Sequence, residues 1–311
     1  MMFTGSCFTE NIGNKLRKLK FKVNINPFGI IYNPVSVFDS LNFIIDKTLF
    51  KEKDLFFYNE YWHSFYHHGK FSHTDKELTL RSVNESINNA HNFLKDSDFL
   101  FITLGTAWIY RHIKTDMTVA NCHKVPSSEF KKILLTSEEI SEKFNLIIRC
   151  LQRFNPKIKL IFSVSPVRHL KDGFSENFLS KAVIRTSIES IIKTSKNIYY
   201  FPAYEILNDD LRDYRFYDID LVHPNEVAVN YIFNFFQKSF FDNETLALTK
   251  EISKIISAVS HKIFVLDTEQ TQKFLNSGLD KIKKLTEKHP YIDFENEKNY
   301  FLKLLNHPTE R

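Results

Sequence analysis

Phe3-Thr4-Gly5-Ser6-Cys7-Phe8-Thr9-Glu10-Asn11-Ile12-Gly13 decides how the chain is read. A short apolar start runs into Gly5-Ser6, and Phe8, Ile12, Leu16 and Leu19 then recur at helical spacing. The pattern predicts a strand, a tight turn and a helix over about residues 8–20. Ser6 thereby falls at the mouth of a sheet, beside a helix N-terminus whose free N–H groups favour negative charge. A serine there has two readings. It caps the helix, or it is a nucleophile if a base can reach it. The base candidate lies far along the chain, in Asp220-Leu221-Val222-His223-Pro224, and it too reads either as a capping loop or as an acid–base pair.

Outward from this stretch, strands and helices alternate. Phe21 to Ile25 reads as a strand, and Asn26-Pro27-Phe28-Gly29 as a turn. Asn33 and Pro34 open a helix as N-cap and first helical residue. Leu55 to His68 is aromatic-rich and irregular, and Ser82-Val83-Asn84-Glu85 reads as a capping box for a helix to Lys95. Asp98 to Leu104 and Ile158 to Val164 are apolar runs of the kind buried parallel strands show. Residues 107–124 form a hairpin-like excursion, and Thr136 to Glu139 is a second capping box. A helix over 175–195, a strand over 198–201 and a helix over 224–240 close the unit. Such alternation predicts a parallel sheet with helices on both faces and a site at the carboxyl ends of the strands. From Asp242 the character changes to amphipathic helices over 244–263, 269–289 and 294–305 that carry no recognisable chemistry. The division is therefore 1–241 and 242–311, the second part packing on the first or on a second copy of the chain.

Composition bounds the function. The 311 residues are 43% hydrophobic and include 31 Phe, enough for a large core and too many for a disordered chain. The net charge is +5, but the basic residues are scattered, and acids surround the one Arg/aromatic segment, Arg212 to Tyr217. No nucleic-acid partner is expected, and no membrane either, since no apolar run reaches the roughly 18 residues that span a bilayer. Three cysteines, Cys7, Cys122 and Cys150, with no zinc spacing, argue against a disulfide scaffold and fit a reducing compartment. With Ser6 so near the start, no room for a signal peptide is seen, and a cytoplasmic protein is expected.

The set of segments resembles the GSCFA family, whose domain looks like an SGNH/GDSL-type hydrolase. The resemblance runs from Gly5-Ser6-Cys7-Phe8 through Asn26-Pro27-Phe28-Gly29, Tyr32-Asn33-Pro34, His67-His68, Thr103-Leu104-Gly105-Thr106-Ala107-Trp108 and Asn121-Cys122-His123-Lys124. It continues through Ser163 to His169, Tyr200-Phe201-Pro202, Leu211 to Tyr217 and His223-Pro224. It implies a flavodoxin-like, SGNH-type three-layer α/β sandwich with a parallel central sheet, here followed by a helical appendage. It also implies a Ser6–His223–Asp220 triad acting on an acyl ester, small or carbohydrate-borne, by hydrolysis or acyl transfer and without cofactor or metal. A non-catalytic binding module on the same fold is the competing class.

In that triad, Ser6 attacks the carbonyl, His223 takes its proton and Asp220 orients the imidazole. The expected oxyanion donors are the Ser6 N–H, the Gly29 N–H and Thr106. Thr106 lies in Gly105-Thr106-Ala107, where SGNH enzymes carry Gly-x-Asn. Asn33, His67, His68, Gly105, His123, Arg168, His169 and Arg215 are the expected substrate-binding positions, the histidines otherwise rigidifying loops. Cys7, beside the nucleophile, is expected to point into the core.

Overall fold

The computed structural model describes residues 1–263, 265–266 and 268–306. β1 (Met2–Gly5) is buried along its whole length and leads through Ser6 into α1 (Cys7–Lys18), which turns Phe8, Ile12 and Leu16 inward. β2 (Asn24–Ile25) is shorter than the expected 21–25, because Lys20 takes a left-handed φ of 67° and the Phe21 N–H still bonds back to Leu16 O. α2 (Pro34–Ile45) starts where Asn33 and Pro34 predict, Asn33 Oδ1 accepting from the Ser36 N–H at 2.9 Å.

The aromatic stretch folds as an antiparallel hairpin of β3 (Phe56–Tyr58) and β4 (Tyr61–His63), turning through left-handed Asn59 and Glu60. α3 (Lys76–Lys95) begins earlier than the box at Ser82 predicts. Asp75 Oδ1 accepts from the Leu78 N–H at 2.8 Å and caps the helix, so Ser82 to Glu85 lie inside it. After β5 (Phe99–Leu104), the expected hairpin is a three-stranded antiparallel sheet. β6 (Trp108–His112) sits between β7 (Thr118–Val119) and β8 (Phe130–Leu134). α4 (Ser137–Phe154) carries the expected capping box with both of its bonds, between Thr136 and Glu139. β9 (Lys159–Val164), α5 (Phe174–Ile192), β10 (Ile198–Tyr200), the short α6 (Ala203–Glu205) and α7 (Glu226–Phe240) follow.

The central sheet has the order β10-β9-β5-β1-β2, and every neighbouring pair is parallel. Counted in chain order, this is the 2-1-3-4-5 arrangement of flavodoxin-like folds. The pleat sorts the two cores. Met2, Leu100, Ile102, Leu104, Leu160, Phe162 and Val164 face the core shared with α2 to α5. The intervening Phe3, Phe101 and Ile161 are buried on the other side, Phe3 5.4 Å and Phe201 6.2 Å from Phe101 between ring centroids. Right-handed crossovers place α1 on that second face, which makes a three-layer sandwich.

The chain divides into two compact units, Met1–Asn14 with Val23–Asn234, and Lys15–Lys22 with the described residues from Phe235 onward. The second contains α8 (Asn243–Ser260), α9 (Glu269–Lys288) and α10 (Glu295–Leu305). Its core joins Ile252, Ile255, Leu275, Ile282 and Phe301, with Leu19 packed against them. Lys20 pairs with Glu297 at 2.7 Å. Residues 15–22 thus pack with the second unit, although the sequence alone places them in the first domain. No helix among the described residues is long and apolar enough to cross a membrane.

Candidate active site

Gly5-Ser6 ends β1 and Gly105 follows β5, the two strands at which the order of the sheet reverses. In open α/β sheets, ligands enter at that crevice. The Gly5 turn admits no side chain: φ is 138°, and a Cβ there would fall 2.1 Å from Thr103 O. The Gly5 N–H donates to Asn26 Oδ1 at 2.9 Å, and the Asn26 amide donates to Glu10 Oε1 at 3.3 Å. Asn26 is fully buried with a left-handed φ of 47°. Sequence reasoning sees it only as a turn residue, yet it holds the turn that presents Ser6.

Ser6 is 3% exposed, and its Oγ has no hydrogen-bond partner among the described residues. Its hydroxyl therefore makes no capping bond to α1 and no bond to His223. The other half of the expected triad is assembled. His223 Nδ1 lies 2.6 Å from Asp220 Oδ2, while Asp220 Oδ1 accepts from the backbone N–H groups of Val222 and His223 at 2.9 and 3.0 Å. These bonds hold the Asp220 carboxyl down at about 2, so it is ionised at neutral pH. The ring nitrogen facing Asp220 is the one a proton must occupy for the other to act as base. Arg168, after β9, reaches across to the same loop: its N–H donates to Val222 O at 3.2 Å.

The expected oxyanion donors make hydrogen bonds within the protein. The Ser6 N–H donates to Thr103 O at 3.1 Å, and the Gly29 N–H to Asn26 O at 2.7 Å. The Gly105 and Thr106 N–H groups both point to Tyr32 O, and Thr106 Oγ1 is bonded with Ser180 Oγ at 2.8 Å. The cause is general: buried strand-end loops must satisfy their own N–H groups. Gly29 is glycine because a Cβ would fall 2.2 Å from His68 Cβ.

The expected substrate-binding residues lie in several separate places. Asn33 is buried, and both ends of its amide are used at the start of α2. His67 and His123 pack around Ser64. His67 Nδ1 lies 2.9 Å from Ser64 Oγ and His123 Nε2 2.9 Å from Ser64 O, with the His63 ring 4.4 Å from that of His123. His68 caps the short turn that follows it, its Nδ1 accepting from the Lys70 N–H. Burial drives His67 down to about 3 and His123 to about 4, so both are neutral. Arg215 pairs with Asp213 at 2.9 Å on the surface.

His169, Gly105 and Arg168 follow the carboxyl ends of β5 and β9, where the Arg168 N–H reaches the loop bearing His223. A Cβ on Gly105 would meet His169 Nε2 at 2.9 Å. That nitrogen is buried without a hydrogen-bond partner among the described residues, and burial, with Lys181 and His223 adding repulsion, lowers His169 to about 3. Tyr32 packs 5.0 Å from the His169 ring. Cys7 is half-buried, and burial raises its thiol, so it is no ready thiolate. Lys181 is the residue that sequence reasoning missed. It occupies the inward stripe Asn177, Lys181, Ile184, Ile188 and Ile191 of α5, where its spacing, more than its type, was the signal. Among the described residues no three His, Cys, Asp or Glu side chains converge as metal ligands.

No curated protein matches the chain. Residues 252–307 match the model described as GSCFA domain protein, C-terminal domain, which spans most of the three helices that follow the sheet. The strand-end segments from Gly5-Ser6 to Asp220-x-x-His223 all fall within residues 1–236, the span matched by the GSCFA family model, and the chain belongs to that family.

Proposed function

We propose that the chain is a serine hydrolase acting on acyl esters, with Ser6 as nucleophile, His223 as general base and Asp220 as the group that orients it. The observations that support this reading are the Asp220–His223 pair at 2.6 Å and an unpartnered Ser6 hydroxyl at the switch point of the sheet. The paired carboxylate selects the tautomer that leaves Nε2 free to accept a proton. The N-terminus of α1 supplies a positive field where the oxyanion forms. With the expected N–H donors engaged, the reaction is slow until substrate displaces one of them. Each missing donor costs about 100- to 1000-fold. By likeness to SGNH enzymes the substrate is a small-molecule or carbohydrate-borne acyl ester, and acyl transfer to a second hydroxyl would use the same acyl-enzyme. Three free cysteines support a reducing, cytoplasmic setting.

One observation favours a second reading, a ligand-binding module without turnover: Ser6 and His223 share no hydrogen bond. A fluorophosphonate probe separates the two. The hydrolase forms a covalent Ser6 adduct that Ser6→Ala and His223→Ala abolish. A protein that stays unlabelled while binding an ester is the module.

A further inference from the structure

Lys181 is buried in α5 at 2% exposure. Its Nζ donates to Ser165 O at 2.8 Å and to Val167 O at 2.9 Å, and no carboxylate pairs with it among the described residues. The ring of Tyr204, 5.7 Å away, and the Cys7 sulfur and His169 imidazole are the groups that it faces. A buried ammonium satisfied only by carbonyl dipoles is costly to keep. The two carbonyls it holds are the bends of the segment that leaves β9. That segment is fixed on three sides. The Ser165 N–H donates to Leu104 O at the end of β5, and the His169 N–H donates to Asn177 Oδ1 on α5. Arg168 reaches the third side, its N–H bonding Val222 O and its guanidinium lying 3.9 Å over the Tyr217 ring. Val222 lies within the Asp220–His223 loop and Tyr217 just before it, and the His223 carbonyl accepts from the Asp218 N–H at 2.7 Å.

We infer that Lys181 is a positioning residue of the proposed hydrolytic site, clamping the Ser165–Val167 segment so that Arg168 holds the His223 loop in place. The inference rests on the hydrolase reading. It explains why a buried position of the inward stripe of α5 keeps a lysine. Burial lowers that lysine to about 7, so the clamp changes charge close to neutrality.

The test compares Lys181→Met, which removes the donors, with Lys181→Arg, which retains charge and donors. Lys181→Leu, which also lacks donors, stands in if the Met variant does not fold. Two quantities are read: hydrogen exchange of the Arg168 amide, and the rate of fluorophosphonate labelling of Ser6 between pH 5.5 and 8.5. In Lys181→Met, Arg168 is expected to lose tenfold or more of its protection, and labelling to slow at least tenfold. An inflection near pH 7 in the wild-type profile is expected to vanish, and Lys181→Arg to restore part of the rate. Wild-type protein that labels, with a Lys181→Met variant equal to it in rate, pH profile and Arg168 exchange, overturns the inference and leaves the hydrolase standing. Wild-type protein that does not label removes the hydrolase reading and the inference with it.

Discussion

Two groups of histidines sit in family-like segments and behave in opposite ways. His223 is half exposed, on a loop, with an ionised carboxylate on one ring nitrogen. His67 is 1% exposed, 4.3 Å from the Phe28 ring and flanked by Phe50 and Phe71, with burial holding it neutral. The residue type and the presence of a motif are the same; the environment differs. An imidazole paired with an exposed carboxylate is reachable from solvent, whereas one enclosed by aromatics is a packing unit with a polar edge.

The contrast is broken most directly by exchanging its consequences. His223→Ala is expected to lower Ser6 labelling by about 1000-fold or more while leaving the melting temperature within about 1 °C, because the side chain is half exposed. Asp220→Asn is expected to follow it, by up to about 10⁴-fold if tautomer selection dominates. His67→Ala is expected to do the reverse: labelling per folded molecule is retained, and urea unfolding shows a loss of about 3 kcal/mol. If His67→Ala abolishes labelling without destabilising, the division between the two groups is wrong.

A smaller effect follows from pH. His67, His123 and His169 are lowered from 6.5 to about 3, about 4 and about 3. Between 6.5 and 4 the unfolded chain therefore binds protons that the native one does not, and stability falls as pH falls through that window. Urea midpoints at pH 7, 5.5 and 4.5 should decline in step, and His67→Phe should flatten part of the slope. Lys181 acts at the other end: lowered from 10.5 to about 7, it makes stability rise between those values, a gain that Lys181→Met should lack. The smallest effect sharpens the comparison from outside. Arg215 is solvated and paired only with Asp213, so Arg215→Ala should change neither labelling nor melting temperature.

Much of the architecture was legible because it rests on local signals. The apolar runs at Asp98 to Leu104 and Ile158 to Val164 became β5 and β9, and the box at Thr136 capped α4. Asp75 was overlooked because its capping role depends on where its side chain turns, and Ser82 offered an equally good local pattern. β8 was missed because its pairing with β6 is long-range. At the site, Gly5-Ser6 and Asp220-x-x-His223 could be read as chemistry, but the fate of each N–H could not. Whether the Ser6 N–H is free depends on Thr103, which only the sheet register brings beside it. Lys181 looked like any surface lysine until the fold buried it.

The strand order has a consequence for synthesis. β1, which presents Ser6, is interior to the sheet, but its neighbour β5 comes much later in the chain, and the loop bearing His223 later still. A nascent chain on the ribosome thus exposes the serine long before any partner for it exists. A product cut short before residue 223 would hold an inert hydroxyl and no base. On the proposed hydrolase reading, the order of translation itself keeps the chemistry switched off until the domain is nearly complete.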